Sequence, residues 1–178
     1  TGNGNDQDVS LLIGGSTIAK DLSVKTGNGD RTKVWLDQVN VTAGKLNVTT
    51  GNGSDQIVTL NGGSVASDVS LKTGNGDRTQ VLLDQVTLNS RLTLTTGNGS
   101  GQNVSLKGGS VAKDVSVKTG HGDQIKVLFD QVTVTADKLS VTTGNGSDQD
   151  VSLLIGGSTI VKDLSIKTGN GERTKALL

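Results

Sequence analysis

Asp6, Asp55 and Asp148 each stand two residues beyond a Thr-Gly-Asn-Gly tetrapeptide, and they are the nearest thing to a metal site in this 178-residue chain. Calcium takes six to eight oxygen ligands, usually several of them carboxylates. Carboxylates recurring at one position of a repeat are therefore candidates for a row of cation sites. In the intervening repeats, however, the same position holds Arg31, Arg78, Gln124 and Arg173, and Gly101 replaces the aspartate once. Guanidinium groups repel a bound cation and attract carboxylates, so the reading is a row of ion pairs, with calcium as the weaker alternative and no other cofactor. The single histidine, His121, needs a nucleophile or an orienting carboxylate to act as a base. Asp123 is close in sequence, but His121 occupies a position where seven other repeats carry Asn, and the reading is a structural substitute. The Gly-x-Gly motifs precede no helical pattern, so a nucleotide-binding reading fails. No catalytic residue is assigned.

The elements that position these residues follow from the repeat. Thr-Gly-Asn-Gly begins at Thr1, Thr26, Thr50, Thr73, Thr96, Thr143 and Thr168, and Thr-Gly-His-Gly at Thr119, with spacings of 23 to 25 residues. Between motifs, apolar residues fall on alternate positions in three short runs, as in Val34-Trp35-Leu36, Val39-Asn40-Val41 and Leu46-Asn47-Val48. That period of two marks half-buried strands. No run has a helical period, so no crossover helices cover a conventional parallel sheet. The expectation is one continuous parallel β-solenoid over residues 1–178, triangular and right-handed, with about 24 residues per coil, in seven full coils and part of an eighth. Stacking sets Asn3, Asn28, Asn52, Asn75, Asn98, His121, Asn145 and Asn170 in one corner column. Asn and Gly are expected there at positive φ, with neighbouring amides bonded to one another and the motif threonines forming a second ladder.

Odd and even coils differ, which makes the repeating unit a pair of about 47 residues. Odd coils carry Gly14-Gly15, Gly62-Gly63, Gly108-Gly109 and Gly156-Gly157 where even coils carry Asp37-Gln38-Val39, Asp84-Gln85-Val86 and Asp130-Gln131-Val132. A second charge column, Asp21, Lys45, Asp68, Arg91, Asp114, Lys138 and Asp163, alternates in sign throughout. A slip of one coil would set like charges on one another, so the alternation is expected to fix register. Residues 1–36 return as 143–178 with six differences (Asn5/Ser147, Ala19/Val161, Val24/Ile166, Asp30/Glu172, Val34/Ala176, Trp35/Leu177), so the chain reads as a window onto a longer array. In the first strand the central outward residue is Ser10, Thr59, Ser105 or Ser152 on odd coils and Trp35, Leu82, Leu128 or Leu177 on even ones. An aligned apolar row of that kind invites a partner surface, and lateral or end-to-end self-association is the expected contact.

Composition narrows the classes. Apolar residues are 31% of the chain, thin for one round core but sufficient for a narrow solenoid interior. Cysteine is absent, which excludes disulfides and thiolate chemistry. Net charge is zero, so neither nucleic acid nor an anionic membrane is an expected partner, and no apolar run is long enough for a membrane-spanning helix.

In repeat style the whole chain resembles the large secreted repeat proteins of bacteria, whose adhesins and surface filaments are parallel β-helices. The nonapeptide from Thr50 to Val58 is also similar, except at its first residue, to the calcium-binding RTX repeat. The first resemblance implies export, an extracellular or cell-surface location, and a role as rod, filament or matrix fibre, with an adhesin stalk or a calcium- or glycan-binding β-helix module as the alternative. The second implies calcium binding, against which the alternating arginines stand.

Overall fold

Strands alternating apolar and polar residues bury one face only, and with no helix to cover them they cover one another by coiling. The computed structural model describes residues 2–12, 17–154 and 159–177. The first coil carries β1 (Asp8–Leu12), β2 (Thr17–Ile18) and β3 (Leu22–Lys25), and the second β4 (Lys33–Asp37), β5 (Asn40–Val41) and β6 (Leu46–Thr49). The third holds β7 (Ile57–Asn61), β8 (Ser64–Val65) and β9 (Val69–Lys72), and the fourth β10 (Gln80–Asp84), β11 (Thr87–Leu88) and β12 (Leu92–Thr95). The fifth holds β13 (Asn103–Lys107), β14 (Ser110–Val111) and β15 (Val115–Lys118). In the sixth and seventh coils the second and third strands join, giving β16 (Lys126–Asp130) and β17 (Thr133–Thr142), then β18 (Asp150–Leu154) and β19 (Thr159–Lys167). The eighth coil opens with β20 (Lys175–Leu177).

Each strand pairs in parallel with its counterpart one coil away. The first face is a single eight-stranded sheet in the order β1-β4-β7-β10-β13-β16-β18-β20. Its register advances by 25, 24, 23, 23, 23, 24 and 25 residues, read from Asp8↔Lys33, Lys33↔Ile57, Ile57↔Gln80, Gln80↔Asn103, Asn103↔Lys126, Lys126↔Asp150 and Asp150↔Lys175. The second and third faces stack likewise and merge through β17 into one sheet of twelve strands. The protein is thus an all-β parallel β-solenoid, with no helix among the described residues.

Inward residues form columns down the interior. Val34, Val58, Val81, Val104, Val127 and Val151 stack on one another, and Leu36, Leu60, Leu83, Leu106, Phe129 and Leu153 form the next column, all buried. Each such side chain contributes about 1.5–3 kcal/mol on leaving water. Because every rung supplies the same few positions, a 31% apolar content suffices.

The corners differ from the sequence expectation in backbone detail. Positive φ falls on the second glycine of the motif (Gly76, φ 154°) and on the residue two beyond it: Asp6, Arg31, Asp55, Arg78, Gly101, Gln124, Asp148 and Arg173, at 53° to 69°. The corner asparagines are not among the positive-φ residues. Asparagine was the natural candidate by residue type, but the turn places its left-handed residue where the ion-pair column stands. At the next corner Gln38, Gln85 and Gln131 take φ of 51° to 55°, matched by Gly62 and Gly108 at 62° and 55°. This explains the alternation of Gly-Gly with Asp-Gln-Val. A Cβ on Gly62 would lie 2.3 Å from Gln38 Nε2, and one on Gly108 2.2 Å from Gln85 Nε2. Gln38 and Gln85 each lie over the glycine of the following coil. The Gly14-Gly15 and Gly156-Gly157 corners lie outside the described residues.

Candidate functional site

The corner column is held by side chain-to-backbone bonds. The amide oxygen of Asn3 accepts the Asn28 N–H at 2.9 Å, and the same bond repeats from Asn52 to Asn28, Asn75 to Asn52, and Asn98 to Asn75, each at 2.8 Å. His121 continues it: its N–H donates to Asn98 Oδ1 at 2.8 Å, and its Nδ1 accepts the Asn145 N–H at 2.9 Å. Asn170 N–H then donates to Asn145 Oδ1 at 2.9 Å. The expected amide-to-amide ladder is replaced because the next coil's N–H lies within reach of each side-chain oxygen. The imidazole must keep Nδ1 free of a proton here. Asp123 does not orient it: its Oδ1 accepts the Ser147 N–H at 2.7 Å.

That bond belongs to a second column that the sequence reading missed. Asn5, Asp30, Ser54, Asp77, Ser100 and Asp123 each accept the N–H of the residue one coil on, at 2.7 to 3.4 Å. The signal was a short polar residue after every motif, which reads at first as ordinary loop composition.

Among the described residues the motif threonines form no side-chain ladder. In odd coils Thr50, Thr96 and Thr143 donate to a buried glutamine of their own coil: Gln56, Gln102 and Gln149. The Gln56 amide in turn donates to Gly51 O at 2.7 Å and Gly53 O at 2.6 Å, closing the corner from inside. In even coils the hydroxyls of Thr26, Thr73 and Thr119 are buried without a partner. The glutamine recurs at the same offset in each odd coil, but its residue type reads as surface, and so it was passed over.

The two charge columns divide the coil interfaces between them. Arg31 pairs with Asp6, Arg78 with Asp55 at 2.5 and 2.7 Å, and Arg173 with Asp148, each through Nε and a terminal nitrogen. These pairs join an odd coil to the next even one. In the second column Asp21, Asp68 and Asp114 accept the backbone N–H of Lys45, Arg91 and Lys138 at 2.8, 3.4 and 3.1 Å. The cation side chains then reach the following odd coil, Lys45 to Asp68 at 4.0 Å and Arg91 to Asp114 at 3.8 Å. Lys138 stands in register with Asp163. Where the first column loses its charges at Gly101 and Gln124, the fifth and sixth coils lack that clamp. An additional pair, Lys162 with Asp137 at 3.3 Å, joins the sixth and seventh.

Both carboxylate oxygens of Asp6, Asp55 and Asp148 are engaged by guanidinium, and among the described residues no three His, Cys, Asp or Glu side chains converge. The arginine hydrogen bonds hold these three carboxyls below their ordinary value of 3.8 against a smaller opposing effect of desolvation. Asp68 is lowered as well, first by the Ser90 hydroxyl. A depressed carboxyl stabilises the fold above its unfolded value, and that contribution disappears as pH falls through the folded value. The melting temperature is therefore expected to fall on acidification below about pH 4, and to fall less in Asp6→Asn, Asp55→Asn, Asp148→Asn combined. An unchanged acid limb in that triple variant, measured by circular dichroism, would remove the ion pairs from the account.

On the first face the register aligns Ser10, Trp35, Thr59, Leu82, Ser105, Leu128, Ser152 and Leu177 in the central outward row. Trp35 and Leu177 are exposed, with Lys33 Nζ 4.8 Å from the Trp35 ring centre, while Leu82 and Leu128 are half-buried.

Fold and columns together define a parallel β-solenoid whose polar corner groups are engaged chiefly in joining one coil to the next. No protein-family model, curated protein or solved structure matches the chain.

Proposed function

We propose that this chain is a structural rod segment of an extracellular or cell-surface repeat protein, working by coil stacking and self-association rather than by catalysis. The observation that carries this reading is the use of the chemically active side chains. The Asn/His column, the Asp/Arg pairs and the Asp/Lys/Arg column all bond to the coil above or below. Solenoid stability is then close to a sum of coil terms and nearest-neighbour interfaces, which suits a part whose length matters more than any single position. The repeat-style resemblance to secreted bacterial β-helix proteins supports the surface setting.

Concatenating copies of the six-coil block should lengthen the particle by about 29 Å per block, at ~4.8 Å per rung, as stiff rods in electron micrographs. Flexible beads, or particles that do not lengthen, would refute the rod. Antibody against the chain should label intact source cells, and label confined to the interior would refute the surface setting.

A further inference from the structure

Of the four large hydrophobic side chains exposed among the described residues, Trp35, Leu154 and Leu177 lie on the first face, and only Leu164 lies elsewhere. Leu82 and Leu128 stand in the same row and flank a hollow floored by Ser105, whose hydroxyl is buried without a partner. We infer that this face pairs with the same face of a second copy, in an antiparallel dimer whose two-fold axis passes between β10 and β13. The inference deepens the rod reading and rests on it.

The argument is self-complementarity. A two-fold axis running along the strands between the fourth and fifth coils sets the first coil against the eighth, the second against the seventh, the third against the sixth and the fourth against the fifth. In the central row the apolar residues all lie on even coils and the Ser and Thr on odd ones, so each apolar side chain of that row meets a small one. At the outer positions Leu154 of the seventh coil meets Asp37 and Ile57 of the third meets Lys126. Leu82 enters the hollow over Ser105 of the second copy, Leu128 meets Thr59, and Trp35 meets Ser152. The two rows interdigitate, because apolar residues on one rod are about 9.6 Å apart.

The outer positions agree with this placement. Asp84 faces Lys107 of the second copy, Lys33 faces Asp150, and Asp8 faces Lys175. The two-fold doubles each pair, and no like charges oppose. Moving the axis onto a coil instead sets Lys33 against Lys126 and Asp37 against Asp130, so charge selects the staggered register. Eight strands of about five residues give a face of roughly 35 by 16 Å. Two such faces bury about 1,100 Å², enough for a specific contact.

Sedimentation over a concentration series should show a dimer. Leu82→Thr with Leu128→Ser, which copies the odd-coil residues onto even coils, should weaken it at least about tenfold with the melting curve of the monomer unchanged. Trp35→Ser is the second variant should that pair fold poorly. Spin labels at Gly2→Cys, where a side chain meets nothing within 4 Å, should lie at least about 35 Å apart in the antiparallel dimer. A monomer at every concentration, or a dimer indifferent to these substitutions, overturns the inference. So does a label separation under about 25 Å, which a parallel dimer would give. Single rods of unaltered length in micrographs would accompany failure of this contact alone, whereas loss of the rods themselves would be failure of the reading beneath it.

Discussion

Gly76→Ala is expected to split the solenoid between its third and fourth coils. Gly76 adopts φ 154°, and a Cβ there would stand 1.9 Å from Gly53 O and 2.4 Å from Gly53 C. Neither atom can move away alone. Gly53 N–H donates to Asn75 O and Gly76 N–H to Asn98 O, both at 2.8 Å, so the corner is tied to the coils on each side. A backbone overlap of that depth, added to left-handed strain of about 1–3 kcal/mol, places the loss at about 4 kcal/mol or more. In a nearest-neighbour stack a loss at one interface does not spread evenly. The expected result is two-step thermal unfolding and protease nicking near the third-to-fourth coil junction. Gly101→Ala is the control. Its φ is 69°, but the nearest atom to its Cβ is Arg78 Cγ at 3.6 Å, so backbone strain of about 1 kcal/mol is the whole expected cost. Equal melting curves for the two variants would show that the corner yields, and that close backbone approach does not set the coil spacing.

That contrast shows how much of the molecule could be read from residue types. Period and alternation carried the architecture, because burying one side of every strand leaves a direct trace in the order of residues. The outward row through Trp35 and Leu82 followed from the same alternation. Charge alternation likewise exposed both columns, although the first consists of separate Asp–Arg pairs rather than a continuous ladder. What escaped was conformation that residue type does not signal. Arg78 and Gln85 at φ 54° look like ordinary surface residues in sequence, and they hold left-handed positions because the stack over-determines them. The partner of each corner asparagine was misread for a related reason. Donor and acceptor inventory allows amide-to-amide bonds, and only the coordinates of the next N–H decide between the two. Gln56 and Gln149, both fully buried, escaped because glutamine is mostly an exposed residue.

The buried glutamines give the other large expected effect, and Gln102 is the clearest place to measure it. The residue is 1% exposed. Its amide nitrogen donates to Gly97 O at 2.5 Å and Gly99 O at 2.8 Å, and its oxygen accepts from Thr96. Gln102→Ala removes all three bonds and leaves a void. At about 1–3 kcal/mol for each polar group left unsatisfied in a buried site, a loss of about 3–5 kcal/mol is expected by chemical denaturation. The protein supplies its own reference in the sixth coil, where Ile125 fills the equivalent position fully buried, with Thr119 left unpaired. Gln102→Ile therefore keeps the volume while losing the bonds, and should cost less than Gln102→Ala. Equal losses would assign the whole effect to hydrogen bonding. Gln102→Glu separates the donors from the shape: an ionised carboxylate would face two carbonyl oxygens with no proton to offer. Folding then favours the protonated acid and raises its pKa above the ordinary glutamate value of about 4.3. By linkage, this variant should be least stable at neutral pH and recover as pH falls towards that value, opposite in sign to the acid loss expected from the Asp–Arg pairs. A Gln102→Glu chain that melts like the parent at pH 7 would mean that the corner does not need the amide's donors.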